Sequence, residues 1–233
     1  VTEGPGLTNL ITGIAGAWLD SRELLVIGGQ AKSNNLAYGG IRQIGHQEVQ
    51  GVAIVRPITK HSETFTYPRK VDELLSTVQQ SWENRKGPVF IEVCLDVSAK
   101  EVDWNLNEIP MKKPQHTREK IEYSYKSSIK ELIINSKRPL VLLGGGVSRE
   151  TAFKYQELLE KFKYPIACTW TGADRCSEDY PYYAGRPNTY GMRWSNIFQQ
   201  QADLLIAIGT SLGFQQTGFN TEEFLPKGKI IHV

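Results

Sequence analysis

Residues 4–30 read GPGLTNLITGIAGAWLDSRELLVIGGQ. The stretch opens on a Gly-Pro-Gly turn, in which Pro5 fixes its own φ and the glycines let the backbone approach a neighbour closely. From Thr8 to Asp20 the apolar residues Leu10, Ile11, Ile14, Ala15 and Trp18 recur at helical spacing, with Thr8 placed to cap the first amides. ELLVIGG, 23–29, then reads as a short buried strand of the parallel kind. A turn that feeds a helix and then a buried strand is the repeating unit of an α/β fold.

The same alternation continues outward. An amphipathic helix is predicted over Val71–Trp82, with Leu74, Leu75 and Val78 on one face, and PVFIEVC, 88–94, is a second buried strand. SAKEVDWNLNEIPMKKPQH, 98–116, loses periodicity, gathers charge and reads as a linker. Beyond it come a helix over Thr117–Ser136, the strand PLVLL, the turn Gly144–Gly146, a helix over Ser148–Lys163 and the strand PIACTW. A helix over Trp194–Gln201, the strand DLLIAIG at 203–209 and a strand in KGKIIHV complete the series. The expected architecture is α/β, with two doubly wound parallel-sheet domains at 1–97 and 117–233 joined by the linker 98–116. The strand that should feed the Gly4 turn is almost missing and the chain closes on an apolar run, so both ends read as cut, the first domain at its N-terminus and the second at its C-terminus.

Bulk composition narrows the partners. In 233 residues, 27 Lys plus Arg stand against 25 Asp plus Glu, and a net charge of +2 without a basic stripe argues against nucleic acid. No apolar run approaches membrane-spanning length and no secretory signal opens the chain, which points to a cytoplasmic protein away from membranes. Cys94, Cys168 and Cys176 form no C-x-x-C pair and read as buried free thiols; the dispersed His46, His61, His116 and His232 show no metal-ligand spacing.

Two glycine turns are candidate sites. GPGLTN, 4–9, lies where α/β folds bind ligands, although a purely structural turn explains it equally well. Gly144, Gly145 and Gly146 precede a helix whose free amides suit an anion, and Gly209 and Thr210 end another strand at the same sheet edge. Close helix-to-strand packing is the ordinary alternative for this second turn.

Residues 4–30, followed by HQEV at 46–49, RPITKH at 56–61 and RKGPVFIEVCLDV at 85–97, resemble the pyrimidine-binding domain of thiamine diphosphate enzymes of the acetolactate synthase type. KRPLVLLGGGVSRE, ADLLIAIGTSLGFQQTG and KIIHV resemble the central domain of the same family. The resemblance implies that Gly4, Pro5, Asn9 and Gln47 hold the aminopyrimidine, with the amides of Asn9 and Gln47 pairing to ring nitrogen or amino groups. The ordinary alternatives are a helix-start hydrogen bond for Asn9 and a surface amide for Gln47. It also implies a proton-relay glutamate upstream of Val1, outside this chain, so that no catalytic residue is assigned in this segment and the segment alone is expected to be inactive. Glu3 and Glu48 are read instead as a solvated turn acid and a structural ion pair.

By the same resemblance the intact protein is a homodimer or homotetramer. Its expected chemistry decarboxylates a 2-keto acid and condenses the activated aldehyde with a second carbonyl, with Mg²⁺ and the diphosphate held by a domain not present here. Some relatives keep FAD at the central-domain turns. Thr210–Gly213 and Gly191–Trp194 depart from the segments typical of those members, which weighs against FAD and leaves Gly144–Gly146, Gly209 and Thr210 as a vestigial dinucleotide site. His46 stands where acetolactate synthases carry Phe, and Cys94 and Leu95 where they carry Pro and Lys, which puts acetolactate as the product in question. A thiamine-dependent decarboxylase, a carbon–carbon lyase and a non-catalytic nucleotide-binding or regulatory module are the competing readings.

Overall fold

The computed structural model describes residues 1–102 and 123–233. The chain divides into two compact units, Val1–Arg118 and Glu119–Val233. Most of the expected linker, and the start of the helix predicted from Thr117, lie outside the described residues.

In the first unit, helices α1 (Pro5–Thr8) and α2 (Ile11–Leu19) precede strand β1 (Leu24–Gln30). Helix α3 (Gly51–Val55), strand β2 (His61–Phe65), helix α4 (Val71–Gln79), strand β3 (Pro88–Cys94) and helix α5 (Leu95–Ser98) follow. The sheet order is β1-β3-β2, all parallel, with Leu24 opposite Pro88 and His61 opposite Val89. PVFIEVC takes the centre because, Glu92 apart, its side chains are apolar on both faces: Phe90 packs with Leu7, Ile14, Val26 and Val55, while Val89 and Ile91 pack with Phe65 on the other side. Val1 runs along the edge strand β1, its N–H donating to Ile27 O at 2.7 Å and its carbonyl accepting from Gly29 N at 2.9 Å.

Three local expectations are corrected. The helix predicted from Thr8 is two pieces: Asn9 N still reaches Pro5 O at 3.2 Å, but Leu10 N turns back to Leu7 O at 2.8 Å and tightens the chain before α2. Thr8 does not cap α2; its hydroxyl donates to Pro5 O at 3.2 Å, and Leu10 at the N-cap makes no side-chain cap. The predicted helix from Val71 stops at Gln79. Strand β2 carried no sequence signal, because HSETF offers one fully buried residue, Phe65, among half-buried polar ones.

The second unit contains α6 (Tyr123–Asn135), β4 (Pro139–Leu143), α7 (Arg149–Lys161), β5 (Ile166–Cys168), α8 (Arg193–Gln201), β6 (Leu204–Ile208) and β7 (Lys229–His232). Its strands are parallel in the order β5-β4-β6-β7. Leu140 and Leu142 pack with Leu205, Ala207 and Leu225, and Val141 and Leu143 pack with Ile166 and Cys168 on the opposite face. Ser148 caps α7, accepting from Thr151 N at 3.1 Å. Both units are therefore α/β with parallel sheets, and Cys94, Cys168 and Cys176 are buried free thiols. Among the described residues no helix is long and apolar enough to cross a membrane.

Candidate functional site

Gly4 is buried and holds φ 56°, ψ −112°, a conformation open to glycine and strained for any side chain. A Cβ at this position would overlap the carbonyl oxygen of Gln47 and lie 3.2 Å from its Cβ. The turn that starts α1 and the segment bearing Gln47 are thus in backbone contact, which brings together two places far apart in sequence. Pro5 occupies the first turn of α1, where its missing N–H costs nothing, and is exposed.

Asn9 closes α1 through its backbone N–H, and its side chain caps neither helix. Gln47 has a left-handed φ of 54°. Both side chains are exposed, and among the described residues neither amide hydrogen-bonds another protein group. An open amide beside a glycine turn supplies a donor pair and an acceptor to a flat polar ring.

Behind this surface lies a buried polar network absent from the sequence reading. Gln30, at the end of β1, donates to Val49 O at 3.0 Å and accepts from Ala31 N at 2.8 Å. Glu92, 3% exposed at the centre of β3, accepts from Thr64 Oγ1 at 3.0 Å. Its carboxyl is raised above the ordinary value by burial, against the opposing hydrogen bonds from Thr64, Gln30 and the Val52 amide. Gly51 makes room for it, since a Cβ there would overlap Glu92 Oε1. Glycine in a run that reads GVAIV, facing an acid in an otherwise apolar strand, was the available signal.

Glu48 is not the expected ion pair. Its carboxylate accepts from the backbone amides of Ala37 at 2.5 Å and of Ile44 and Gly45 at 2.9 Å. Partial burial pulls its pKa up, but the three amides outweigh that and hold it below the ordinary value. Glu3 is half-buried and borders a groove of about 590 Å³ with Val1, Thr2, Ile27, Gly29, Gln30, Val93, Leu95 and Ser98 at the carboxyl ends of β1 and β3. Gly4, Pro5, Asn9 and Gln47 do not line that groove. His46 is exposed beside Gln47, and Leu95 is 60% exposed at the groove.

In the second unit the glycine turns meet as backbone on backbone. Gly144 N donates to Ile208 O, Gly146 N to Gly209 O and Gly209 N to Val233 O, each at 2.9 Å. A Cβ at Gly144 would overlap Gly209 O, and one at Gly145 would lie 2.9 Å from Thr171 Oγ1. Thr210 accepts on its hydroxyl from Leu212 N at 3.3 Å, and its carbonyl accepts from His232 Nε2 at 2.6 Å. Gly144–Gly146, Gly209 and Thr210 therefore converge, with the amides of Gly144, Gly146 and Gly209 already spent on carbonyls. A separate cleft of about 350 Å³ lies beside the end of β5, lined by Trp170, Ala173, Arg186, Asn188, Tyr190, Gly191 and Met192.

Comparison with known proteins places these units. A family model described as the thiamine pyrophosphate enzyme N-terminal TPP binding domain matches residues 1–54, and one described as the thiamine pyrophosphate enzyme central domain matches residues 127–233. The chain is 32% identical to a probable acetolactate synthase large subunit of Methanocaldococcus jannaschii, over 100% of this chain and 39% of the relative. It is likewise 32% identical to the large subunit of acetolactate synthase isozyme 1 of Escherichia coli, over 99% of this chain and 40% of the relative. Identity to the acetolactate synthase large subunit of Cyanidium caldarium is 32%, over 100% of this chain and 40% of the relative. The chain spans less than half the length of each of these relatives. With both of its units matched in family order, the chain belongs to the thiamine pyrophosphate enzymes and is acetolactate synthase-like.

Proposed function

We propose that this chain is part of a longer thiamine diphosphate-dependent enzyme that decarboxylates a 2-keto acid and joins the activated aldehyde to a second carbonyl compound. The observation that carries the reading is the contact of Gly4 with the Gln47 backbone, beside the open amides of Asn9 and Gln47. The pyrimidine end of the cofactor fits this place: backbone comes close where Gly4 has no side chain, Pro5 stiffens the turn, and two unengaged amides supply donors and acceptors. When bound, thiamine diphosphate supplies the nucleophilic carbon and the electron sink. The residues of this chain orient it, Gly4, Pro5 and Asn9 from the turn and Gln47 from the facing loop.

Glu48 holds no mobile proton in this scheme, because its carboxylate is committed to three amides. We place the proton-relay glutamate, Mg²⁺ and the diphosphate site outside these 233 residues, in a cytoplasmic homo-oligomer. In the second unit we assign Gly144–Gly146, Gly209 and Thr210 to packing rather than to FAD, since the cluster's amides at Gly144, Gly146 and Gly209 are engaged. An increase in melting temperature on adding FAD or ADP would reverse that assignment.

Leu95 removes a cation from the position where acetolactate synthases carry Lys, and so removes an anchor for a carboxylate. On this ground the second substrate need not be a keto acid, and a simple decarboxylase or carbon–carbon lyase is the alternative outcome. The test is carbon dioxide release from a panel of 2-keto acids by the full-length protein with thiamine diphosphate and Mg²⁺, with product analysis. Cofactor-dependent release supports the proposal, and the product separates ligation from decarboxylation. No release with any of these acids, with or without aldehyde acceptors, would defeat it.

A further inference from the structure

Between Gln30, which ends β1, and Gly51, which begins α3, the chain contains one short 3-10 turn, Ser33–Asn35, and is otherwise irregular. A connection of this length has few backbone hydrogen bonds to fix it, yet it must deliver Gln47 to one place against Gly4. The left-handed φ of Gln47 adds to the difficulty, because a side-chain-bearing residue holds such a conformation only where its surroundings over-determine it.

Those surroundings converge on the next residue. Glu48 Oε1 accepts from Ala37 N at 2.5 Å, while Oε2 accepts from Ile44 N and Gly45 N, both at 2.9 Å. One carboxylate thereby ties the middle of the loop to its end. Gly45 is needed for the approach, since a Cβ there would overlap the Cβ of Ala31. On the other side of Gln47, Val49 O is held by Gln30 Nε2 at 3.0 Å. Charge-assisted bonds to backbone amides are among the stronger single contacts a loop can make.

We propose that Glu48 is a positioning residue for the cofactor site: by gathering the amides of Ala37, Ile44 and Gly45 it fixes the loop that presents Gln47. This rests on the reading that Gln47 contacts the aminopyrimidine, and it gives Glu48 no contact with the reacting atoms. The depressed pKa of Glu48 agrees, since the carboxylate form is the one that collects the amides.

The experiment is a double-mutant cycle on the full-length protein, reading the KM for thiamine diphosphate and the turnover at saturating cofactor. E48Q turns one acceptor oxygen into a donor facing N–H groups; about a tenfold rise in cofactor KM is expected, largely recovered at saturation. If Glu48 acts through Gln47, E48Q adds little in a Q47A background. Equal losses in both backgrounds, or no rise in KM, overturn the proposal. A Q47A variant with unchanged cofactor KM overturns the aminopyrimidine reading itself, and this proposal with it; a loss in Q47A but none in E48Q overturns only the role of Glu48. Should E48Q fail to fold, hydrogen exchange of the unaltered protein reads the same tie: slow amides at Ala37, Ile44 and Gly45 support it, and exchange at loop rates overturns it.

Discussion

Replacing Gly4 with alanine puts a methyl group where the carbonyl oxygen of Gln47 already lies, 3.1 Å from that carbonyl's carbon. The backbone at φ 56°, ψ −112° is a sparsely populated conformation that costs an L-residue roughly 1–3 kcal/mol before any contact is counted. The overlap is with backbone, so it cannot be relieved by a rotamer change, and overpacking of this kind adds about 1–3 kcal/mol. We therefore expect G4A to be destabilised by roughly 2–6 kcal/mol. Alternatively the turn moves away from Gln47, and the loss appears as weaker thiamine diphosphate binding. An internal control sharpens the case. Gly13 lies inside α2 with nothing within 4 Å of a built Cβ, so G13A should stabilise by about 0.5–1 kcal/mol. Thermal unfolding with and without thiamine diphosphate measures both variants. If G4A melts and binds as G13A does, the contact between the turn and Gln47 is not what shapes this site.

Further predictions concern the buried groups. Burial raises the carboxyl of Glu92 above its unfolded value of 4.5, so the folded protein keeps a proton that the unfolded chain has lost. The stability this gives is full below 4.5 and disappears as pH rises through the raised value, so E92Q should gain on the unaltered protein across that window; a constant gap in urea midpoints would refute this. Burial pushes the thiols of Cys94 and Cys168 up to about 11 and that of Cys176 to about 12, so alkylation near pH 8 should be slow in the folded protein and rapid in denaturant. In the second unit G144A should destabilise by overlap with Gly209 O, whereas G213A, whose nearest neighbour is Ser211 Oγ at 3.7 Å, should be close to neutral in unfolding assays.

The parallel strands with doubly apolar faces were readable from sequence: PVFIEVC and PLVLL run over the residues that form β3 and β4. Ser148 as a helix start was readable for the same local reason, a hydroxyl three residues before the amide it caps. Strand β2 was not, because its order depends on pairing with β3 and not on its own half-buried residues. At the site, the turn at Gly4 announces itself through Gly-Pro-Gly, but its approach to Gln47 is a tertiary fact that only the family resemblance suggested. The three amides on Glu48 and the Gln30–Glu92–Thr64 network depend on loop paths and side-chain burial that no periodic pattern encodes.

A crystal structure of the full-length protein with thiamine diphosphate bound would test the central claim most directly. The aminopyrimidine should lie against Pro5 and the Gly4 turn, with the amides of Asn9 and Gln47 within hydrogen-bond distance of its nitrogens. A cofactor held elsewhere, with both amides facing solvent, would contradict it.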